Sequence, residues 1–521
     1  MSTSALFDAL DHATRPATAE RPSVVFRGQA TSYRELAELA QSTATWLLRQ
    51  GVQPGDRVAL CLPKSVDAVA LILGTLAAGS AYVPLDAQIP PERARRILED
   101  ARPKLVAGTD STLGRLQPAL EDSSVATLAL PRVAHGEALR ARIGDTPSGP
   151  PLPPPSGEAL AALLYTSGST GTPKAVMLSH ANISAFVDWA VHETGLTADD
   201  RVSSHAPFHF DLSTFDLFAT FSVGAAVHLL DEVAVKFPGS VARMLETERI
   251  SVWYSVPTAI RMLVDRDALD ATRLPALRLM IFAGEAYPPR RLAAAMHALP
   301  GARFLNWYGP TETNVCTSYE VPEPPMPGCR SIPIGQACAH LEVRLLDEHG
   351  DDVADGTTGE ICVLGPAVMQ GYWGRPALTH AVRIAGRPDS YRTGDFGFRD
   401  AQGRLTLVGR RDHQVKLRGH RIELGDVENV LGLHPDITEV AVVVAGDSEP
   451  ELVGAVVAPD ETGDDQLRSH AAGHLPAYSI PTRWMRYPSL PRTATGKVDR
   501  GLLREHARSD HRVAEESALQ E

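Results

Sequence analysis

Several features that define whole classes of protein are missing from this chain. There are five cysteines (Cys61, Cys316, Cys329, Cys338 and Cys362), none of them in a CxxC pair. That argues against a disulfide framework or a structural zinc site and fits a reducing cytoplasm. No HExxH or similar ligand spacing occurs among the 18 histidines. There is no excess of basic charge: the formal net charge is −13, the wrong sign for a general nucleic-acid binder. There is no long hydrophobic run. The most apolar stretch, 69–83, contains Gly74, Gly79 and Ser80 and is too short to span a bilayer. The N-terminus lacks a basic segment followed by an apolar core, so no signal peptide is read. No repeat of fixed period is visible. The expected setting is cytoplasmic, with neither nucleic acid nor membrane as partner.

What is present is a chain of 521 residues, 44% hydrophobic and 22% charged, long enough for more than one globular core. The first residues suggest a short amphipathic helix with Leu6, Phe7 and Leu10 on one face. A hairpin is expected over 23–27 and 29–32. Ser32 with Glu35 three residues on forms a capping box that starts a helix running to about Arg49. A strand at 58–62, a helix at 66–76 and a strand at 81–85 follow, an alternation that reads as βα units around a parallel sheet. Residues 145–156 are a proline-rich connector.

The stretch around which the chain is organised is Tyr165–Thr166–Ser167–Gly168–Ser169–Thr170–Gly171–Thr172–Pro173–Lys174, directly after an apolar strand at 160–165. Glycines let the backbone curl so that several N–H groups face one point, the hydroxyls add donors, and Lys174 adds positive charge. That is a nest for a polyphosphate. It is not a Walker A loop, which needs Gly directly before Lys; Pro173 stands there.

Further on, a helix is expected over 179–190 and strands at 226–230, 251–256 and 277–282. Asp211 lies in the mostly apolar and aromatic run 205–216. An acid there is either a helix N-cap or a buried anchor for a cation, and the local sequence favours the cap. Gly284, Glu285 and Ala286 end one strand; Asn306, Trp307, Tyr308, Gly309, Thr311 and Glu312 end another. Ligands of open α/β sheets sit beyond the carboxyl ends of strands. Tyr308 suits stacking on a purine, Asn306 a base edge, Thr311 a phosphate and Glu312 a Mg²⁺ ion. Strands at 342–347 and 359–364 belong to an antiparallel subdomain. Asp395, after a glycine turn, suits two ribose hydroxyls. Beyond the charged segment 409–423, a helix at 425–433 and strands at 437–445 and 451–458 form a compact α+β unit, about one hundred residues in all. Lys497 lies near its end on a Gly-containing loop, and a polar tail begins near 508.

Taken together, at least seven ordered motifs over about 20–507 resemble the adenylate-forming superfamily of acyl-CoA synthetases, luciferases and the adenylation domains of nonribosomal peptide synthetases. The fold this implies is α/β: a large N-terminal domain of stacked αβ sheets with a small antiparallel subdomain (1–411), a small mobile α+β C-terminal domain (412–507) and a polar tail (508–521). The implied chemistry uses ATP and Mg²⁺. A carboxylate attacks the α-phosphorus, pyrophosphate leaves, and the acyl group passes to a thiol. By the same resemblance, Thr166, Ser167, Gly168, Ser169, Thr170, Gly171 and Lys174 lie over the β- and γ-phosphates. Gly284, Glu285 and Ala286 lie against adenine, with Tyr308 stacked, Asn306 at the base edge and Gly309 beside them. Thr311 contacts the α-phosphate, Glu312 binds Mg²⁺, and Asp395 and Arg410 bind the ribose. Lys497 is the mobile catalytic lysine, Asp412 the hinge, and Gly419 lines the entry path of the thiol.

In the peptide-synthetase branch the substrate pocket falls on Asp211, Leu212, Phe215, Tyr254, Ile281, Ala283, Trp307, Val315, Cys316 and Lys497. Asp211 matches the partner of a substrate ammonium, which favours an amino acid over a simple acyl or aryl acid. The uncharged wall implies a neutral side chain. The set is similar to that of free-standing prolyl-activating enzymes but departs at Trp307, where those have Leu. The added bulk is expected to shrink the pocket and to favour alanine, then glycine or serine, with proline as the alternative. No carrier domain is read beyond Lys497, so a discrete phosphopantetheinylated carrier protein is the expected acceptor, met by a basic patch around Arg410, Arg411, Arg418 and Arg421 or by one near Arg483 and Arg486. The rivals are an acyl- or aryl-CoA ligase and a non-catalytic nucleotide-binding relative.

Overall fold

The computed structural model describes residues 5–121, 125–131, 136–144, 146–147, 153–166, 173–410, 414–446, 450–459, 461–492 and 498–518. Residues Ser167, Gly168, Ser169, Thr170 and Gly171 of the expected phosphate loop lie outside the described residues. So do the expected hinge Asp412, the expected catalytic Lys497, and 145 and 148–152 of the proline-rich connector.

The chain divides into two compact units. The first comprises Met1–Ala87, Leu98–Tyr165 and Ala175–Arg411. Its largest sheet has nine strands, in the order Gln336–Ala337, Thr317–Glu320, Arg303–Tyr308, Leu279–Ala283, Val252–Ser255, Arg201–Ser204, Ala226–Leu229, Pro22–Phe26, Gln29–Ser32. The six from Arg303–Tyr308 to Pro22–Phe26 run parallel. Such strands are covered on both faces and read as unbroken apolar runs, as Leu279–Ala283 does. A second, seven-stranded sheet has Leu160–Thr166, Ala81–Pro84, Arg57–Cys61 and Leu105–Thr109 at its centre. A third, antiparallel sheet of four strands contains Glu342–Leu346, Gly359–Leu364, Ser390–Arg399 and Leu405–Arg410.

The helices start where the sequence places them. Ser32 accepts from the Glu35 N–H and Glu35 bonds back to the Ser32 N–H, opening Tyr33–Arg49. Ser179 and Asn182 do the same for His180–Thr194. Gly74, inside Val66–Ala77, lets that helix close on Tyr33–Arg49: a Cβ there would stand 2.7 Å from the Thr43 side chain. The interruption of the apolar run at Gly74 is therefore a packing contact. The helical run after Asp211 holds a feature the sequence did not signal, a π-helical turn over Phe215–Ala219 between the short α turns Leu212–Thr214 and Thr220–Ser222.

The second unit comprises Gln88–Ile97, Thr166–Lys174 and Asp412–Glu521. A hairpin, Gln414–Leu417 with His420–Glu423, leads into the helix Leu424–Leu431. A three-stranded sheet follows, Glu439–Ala445, Glu451–Val457 and Arg483–Arg486. The sheet is packed on both faces. Val442, Leu452 and Val456 meet Leu424, Val427 and Leu467, while Ala441, Val443 and Val453 meet Leu503 and Ala507. The helix Arg500–Ala518 runs into the expected polar tail, a segment without Gly or Pro and with Ala, Glu and Arg as good helix formers.

Candidate active site

At the carboxyl end of Leu279–Ala283 the chain turns at Gly284, whose φ of +89° is the left-handed region that glycine favours. Glu285, next in line, accepts hydrogen bonds from the Thr258 hydroxyl (2.6 Å) and N–H (3.2 Å), which joins two strand ends. Ala286 is exposed. One strand over, the Asn306 amide donates to the Pro333 carbonyl at 2.8 Å. The Tyr308 hydroxyl donates to Asp395 Oδ2 at 2.5 Å, and the other carboxylate oxygen takes Arg410 Nη1 at 2.8 Å. Arg410 also reaches the Thr393 carbonyl, and the Asp395 N–H reaches the Thr393 hydroxyl. Burial and the Asp395 charge push the Tyr308 phenol far above its ordinary range, so it stays a neutral donor. Tyr308, Asp395 and Arg410, separated by up to about one hundred residues in the chain, form one fixed cluster.

The turn after Tyr308 requires its glycine by contact. A Cβ on Gly309 would lie 1.7 Å from the Asn314 carbonyl oxygen. The loop doubles back there, with Asn314 at φ +54° and the Cys316 N–H bonded to the Tyr308 carbonyl at 2.8 Å. Thr311 is half-buried on this loop and Glu312 fully buried. Glu312 Oε1 accepts from the Tyr372 hydroxyl at 2.7 Å. The Asn314 amide donates to the Thr214 hydroxyl at 3.0 Å, and Thr214 bonds the Asp211 carbonyl. That chain of bonds ties the 309–317 loop to the turn carrying Asp211.

Asp211, Leu212 and Phe215 come from that turn. Tyr254, Ile281, Ala283 and Trp307 come from three adjacent parallel strands, with Tyr254 opposite Ile281 and Ala283 opposite Trp307. The Phe215, Tyr254 and Trp307 rings meet edge to face, with centroids 5.2–5.5 Å apart. Val315 and Cys316 are buried with them in the same core. Asp211 stands at the start of Leu212–Thr214 but makes no side-chain cap bond, so the cap favoured by the local sequence is not formed. Burial, then the nearby Asp211 and Asp216 carboxylates, push the Tyr254 phenol far up. The Trp307 indole N–H donates to Ser318 Oγ at 3.1 Å, and its ring packs on Trp189 and Phe186.

Four groups that the sequence reading passed over support these residues. Tyr372 holds Glu312 and Thr258 holds Glu285, as above. The Lys64 ammonium, 4% exposed, donates to the carbonyls of Ser204 (2.6 Å) and His205 (2.9 Å), where the chain leaves its strand toward Asp211. Burial pulls Lys64 down to about 8, against the attraction of Asp216 and Glu232. Asp216, wholly buried, is pushed well up by burial, with Lys64 and the Ser204 hydroxyl opposing. Asp216 ends the run 205–216 already singled out for Asp211, whereas Lys64 has its partners 140 residues away.

The remaining expected residues have local settings. Thr166 closes the strand Leu160–Thr166 and Lys174 opens Lys174–Ser179, with the Thr166 hydroxyl 3.5 Å from the Lys174 carbonyl. Gly419 sits with Arg418 at positive φ in the two-residue turn of its hairpin. That turn type calls for glycine by itself. Of the expected basic residues, Arg410 pairs with Asp395, Arg483 with Glu451 and Arg486 with Asp464, while Arg411 lies outside the described residues.

The family model for AMP-binding enzymes matches residues 11–373, and the model for the AMP-binding enzyme C-terminal domain matches 426–497. This chain belongs to the AMP-binding enzyme family. An L-proline–[L-prolyl-carrier protein] ligase of Streptomyces coelicolor is 38% identical over 92% of this chain and 93% of that protein. A protein of the same description from Pseudomonas fluorescens is 37% identical over 92% of this chain and 95% of its own length. Among solved structures, the Vibrio cholerae adenylation domain AlmE in complex with glycyl-adenosine-5'-phosphate is 27% identical, with a TM-score of 0.84 over 97% of this chain and 98% of that one. The chain is thus an adenylate-forming enzyme, and the activity supported is that of an amino acid–carrier protein ligase. The relatives favour the proline alternative; the alanine-first reading gains no support from them.

Within this family frame the metal question has a chemical answer. Among the described residues no group of three or more His, Cys, Asp or Glu side chains could hold a metal. Mg²⁺ takes one or two carboxylates and completes its shell with phosphate oxygens and water. Glu312 is a donor of that type, so the residues fit a metal that comes with the nucleotide. No described helix is long and apolar enough to cross a membrane.

Proposed function

We propose that this enzyme activates L-proline as prolyl-AMP and transfers the prolyl group to the phosphopantetheine thiol of a separate carrier protein. The observation that carries this is the shared description of two relatives, each nearly two-fifths identical over nine-tenths of both chains. The pocket chemistry supports it. Proline offers a cyclic, wholly apolar side chain and a secondary ammonium. Leu212, Phe215, Ile281, Ala283, Trp307, Val315 and Cys316 provide an uncharged wall, and Asp211 a carboxylate for the ammonium. The volume argument for alanine loses force because much of the Trp307 indole is taken up by the core beside Trp189 and Phe186.

The proline carboxylate oxygen attacks the α-phosphorus of ATP and the bond to the pyrophosphate oxygen breaks. Tyr308, Asn306, Gly284, Glu285 and Ala286 hold the base, and Asp395, steadied by Arg410, holds the ribose hydroxyls. Thr166 to Gly171 and Lys174 hold the β- and γ-phosphates. Thr311 and Lys497 offset charge growing on the α-phosphate. Mg²⁺, bound through Glu312, would neutralise phosphate charge. In the second half the carrier thiolate attacks the acyl carbon and AMP leaves. The domain limits 1–411 and 412–507, the hinge at Asp412 and thiol passage beside Gly419 are part of this proposal.

The test is loading. Incubation with ATP, Mg²⁺, L-proline and a phosphopantetheinylated carrier is expected to raise the carrier mass by one prolyl residue. A carrier that stays unloaded while free coenzyme A is acylated would overturn the carrier assignment.

A further inference from the structure

Trp307 has only 1% of its surface exposed, and a buried indole N–H requires an acceptor. The acceptor is Ser318, the residue directly opposite Trp307 in the antiparallel ladder between Arg303–Tyr308 and Thr317–Glu320. A hydroxyl can accept one bond and donate another. Ser318 Oγ donates at 2.7 Å to Glu193 Oε1, on the last turn of the helix His180–Thr194. A hydrogen bond to a carboxylate is among the stronger kinds, so the hydroxyl orientation is fixed with its lone pair toward the indole. Glu193 is half-buried and Ser318 likewise, so the carboxylate keeps contact with water at the outer end of the relay.

We propose that Ser318 and Glu193 are specificity-positioning residues, holding the Trp307 indole at the angle that sets the depth of the amino acid pocket. The proposal rests on the reading that residue 307 lines that pocket. The ring has four aromatic neighbours, Phe215, Tyr254, Trp189 and Phe186. Ring contacts are weakly directional, whereas the N–H bond to Ser318 fixes the rotation of the indole and thus one depth. Neither Ser318 nor Glu193 needs to touch the substrate.

The experiment measures amino-acid-dependent ATP–pyrophosphate exchange with the full chain, using azetidine-2-carboxylate, proline and pipecolate as a ring-size series. Ser318→Ala is expected to raise KM for the preferred amino acid about tenfold, the effect of one unpaired buried N–H, and to flatten the ring-size preference. KM for ATP is expected to stay within about twofold, because only amino acid binding is touched. Glu193→Gln, which keeps an acceptor, shows a smaller shift than Glu193→Ala. In a Trp307→Leu background, adding Ser318→Ala causes no further change. Should Ser318→Ala fail to fold, Glu193→Ala reads the same shift in both backgrounds. An unchanged ring-size profile in Ser318→Ala or Glu193→Ala overturns the proposal. So does a shift that persists undiminished in Trp307→Leu, or a Trp307→Leu variant that leaves every amino acid KM as it was. The series is read relative to whichever amino acid exchanges best. A preferred substrate other than proline therefore overturns the proline reading and leaves this test standing.

Discussion

A carboxylate beside a substrate ammonium has a steep requirement, because half of a desolvated charge pair left alone is costly. Asp211→Asn is therefore expected to raise amino acid KM at least about a hundredfold in exchange assays, with ATP KM little changed. The Tyr308–Asp395–Arg410 cluster gives the opposite signature. Tyr308→Phe removes one bond to a carboxylate, and thermal unfolding is expected to register a loss of about 2 kcal/mol. Exchange assays on the same variant are expected to show a raised KM for ATP with the amino acid KM retained. His180 gives a pH-dependent signature. Burial pulls its imidazole down to about 4, and it is stacked on Phe7 at the first position of its helix. The unfolded chain binds this proton near pH 6.5 and the folded chain near 4, so stability is full above 6.5 and is lost as pH falls through that window. At pH 5 the loss is about 2 kcal/mol. His180→Asn is expected to show a correspondingly flatter decline in chemical denaturation between pH 7 and 5.

Elements were legible in proportion to how local their determinants are. Ser32 with Glu35 sits three residues from its partner, and the helix it starts runs as read. The strand near 279 declared itself by an unbroken apolar run, and those near 226, 252 and 359 by runs that are mostly apolar. The cap at Asp211 misled because a preference for the N-cap position is statistical, while the actual turn bonds through Thr214. The π-helical turn at 215–219 has no pattern of its own in sequence. The Lys64 site lay beyond local reading altogether, since it joins an early loop to a strand end far along the chain. Lys64→Met strips the Ser204 and His205 carbonyls of their buried donor. Chemical denaturation is expected to show a loss of about 1–3 kcal/mol in the first unit. A loss well under about 1 kcal/mol would contradict the account of Lys64 as a buried donor.

At the level of the whole molecule, ordered motifs across nearly the entire chain made the family readable, and the family models match most of it. The amino acid was another matter. Trp307 was read as bulk subtracted from the pocket, yet its ring also packs into a core whose other walls lie more than a hundred residues earlier, at Phe186 and Trp189. Pocket volume is a property of the packed molecule. The measurement that bears most directly on the central claim is ATP–pyrophosphate exchange across glycine, alanine, serine, proline, β-alanine and benzoate. The account predicts exchange that peaks at L-proline. A peak at alanine, glycine or serine would contradict the proline assignment and restore the small-pocket reading, and exchange with benzoate alone would contradict the role given to Asp211.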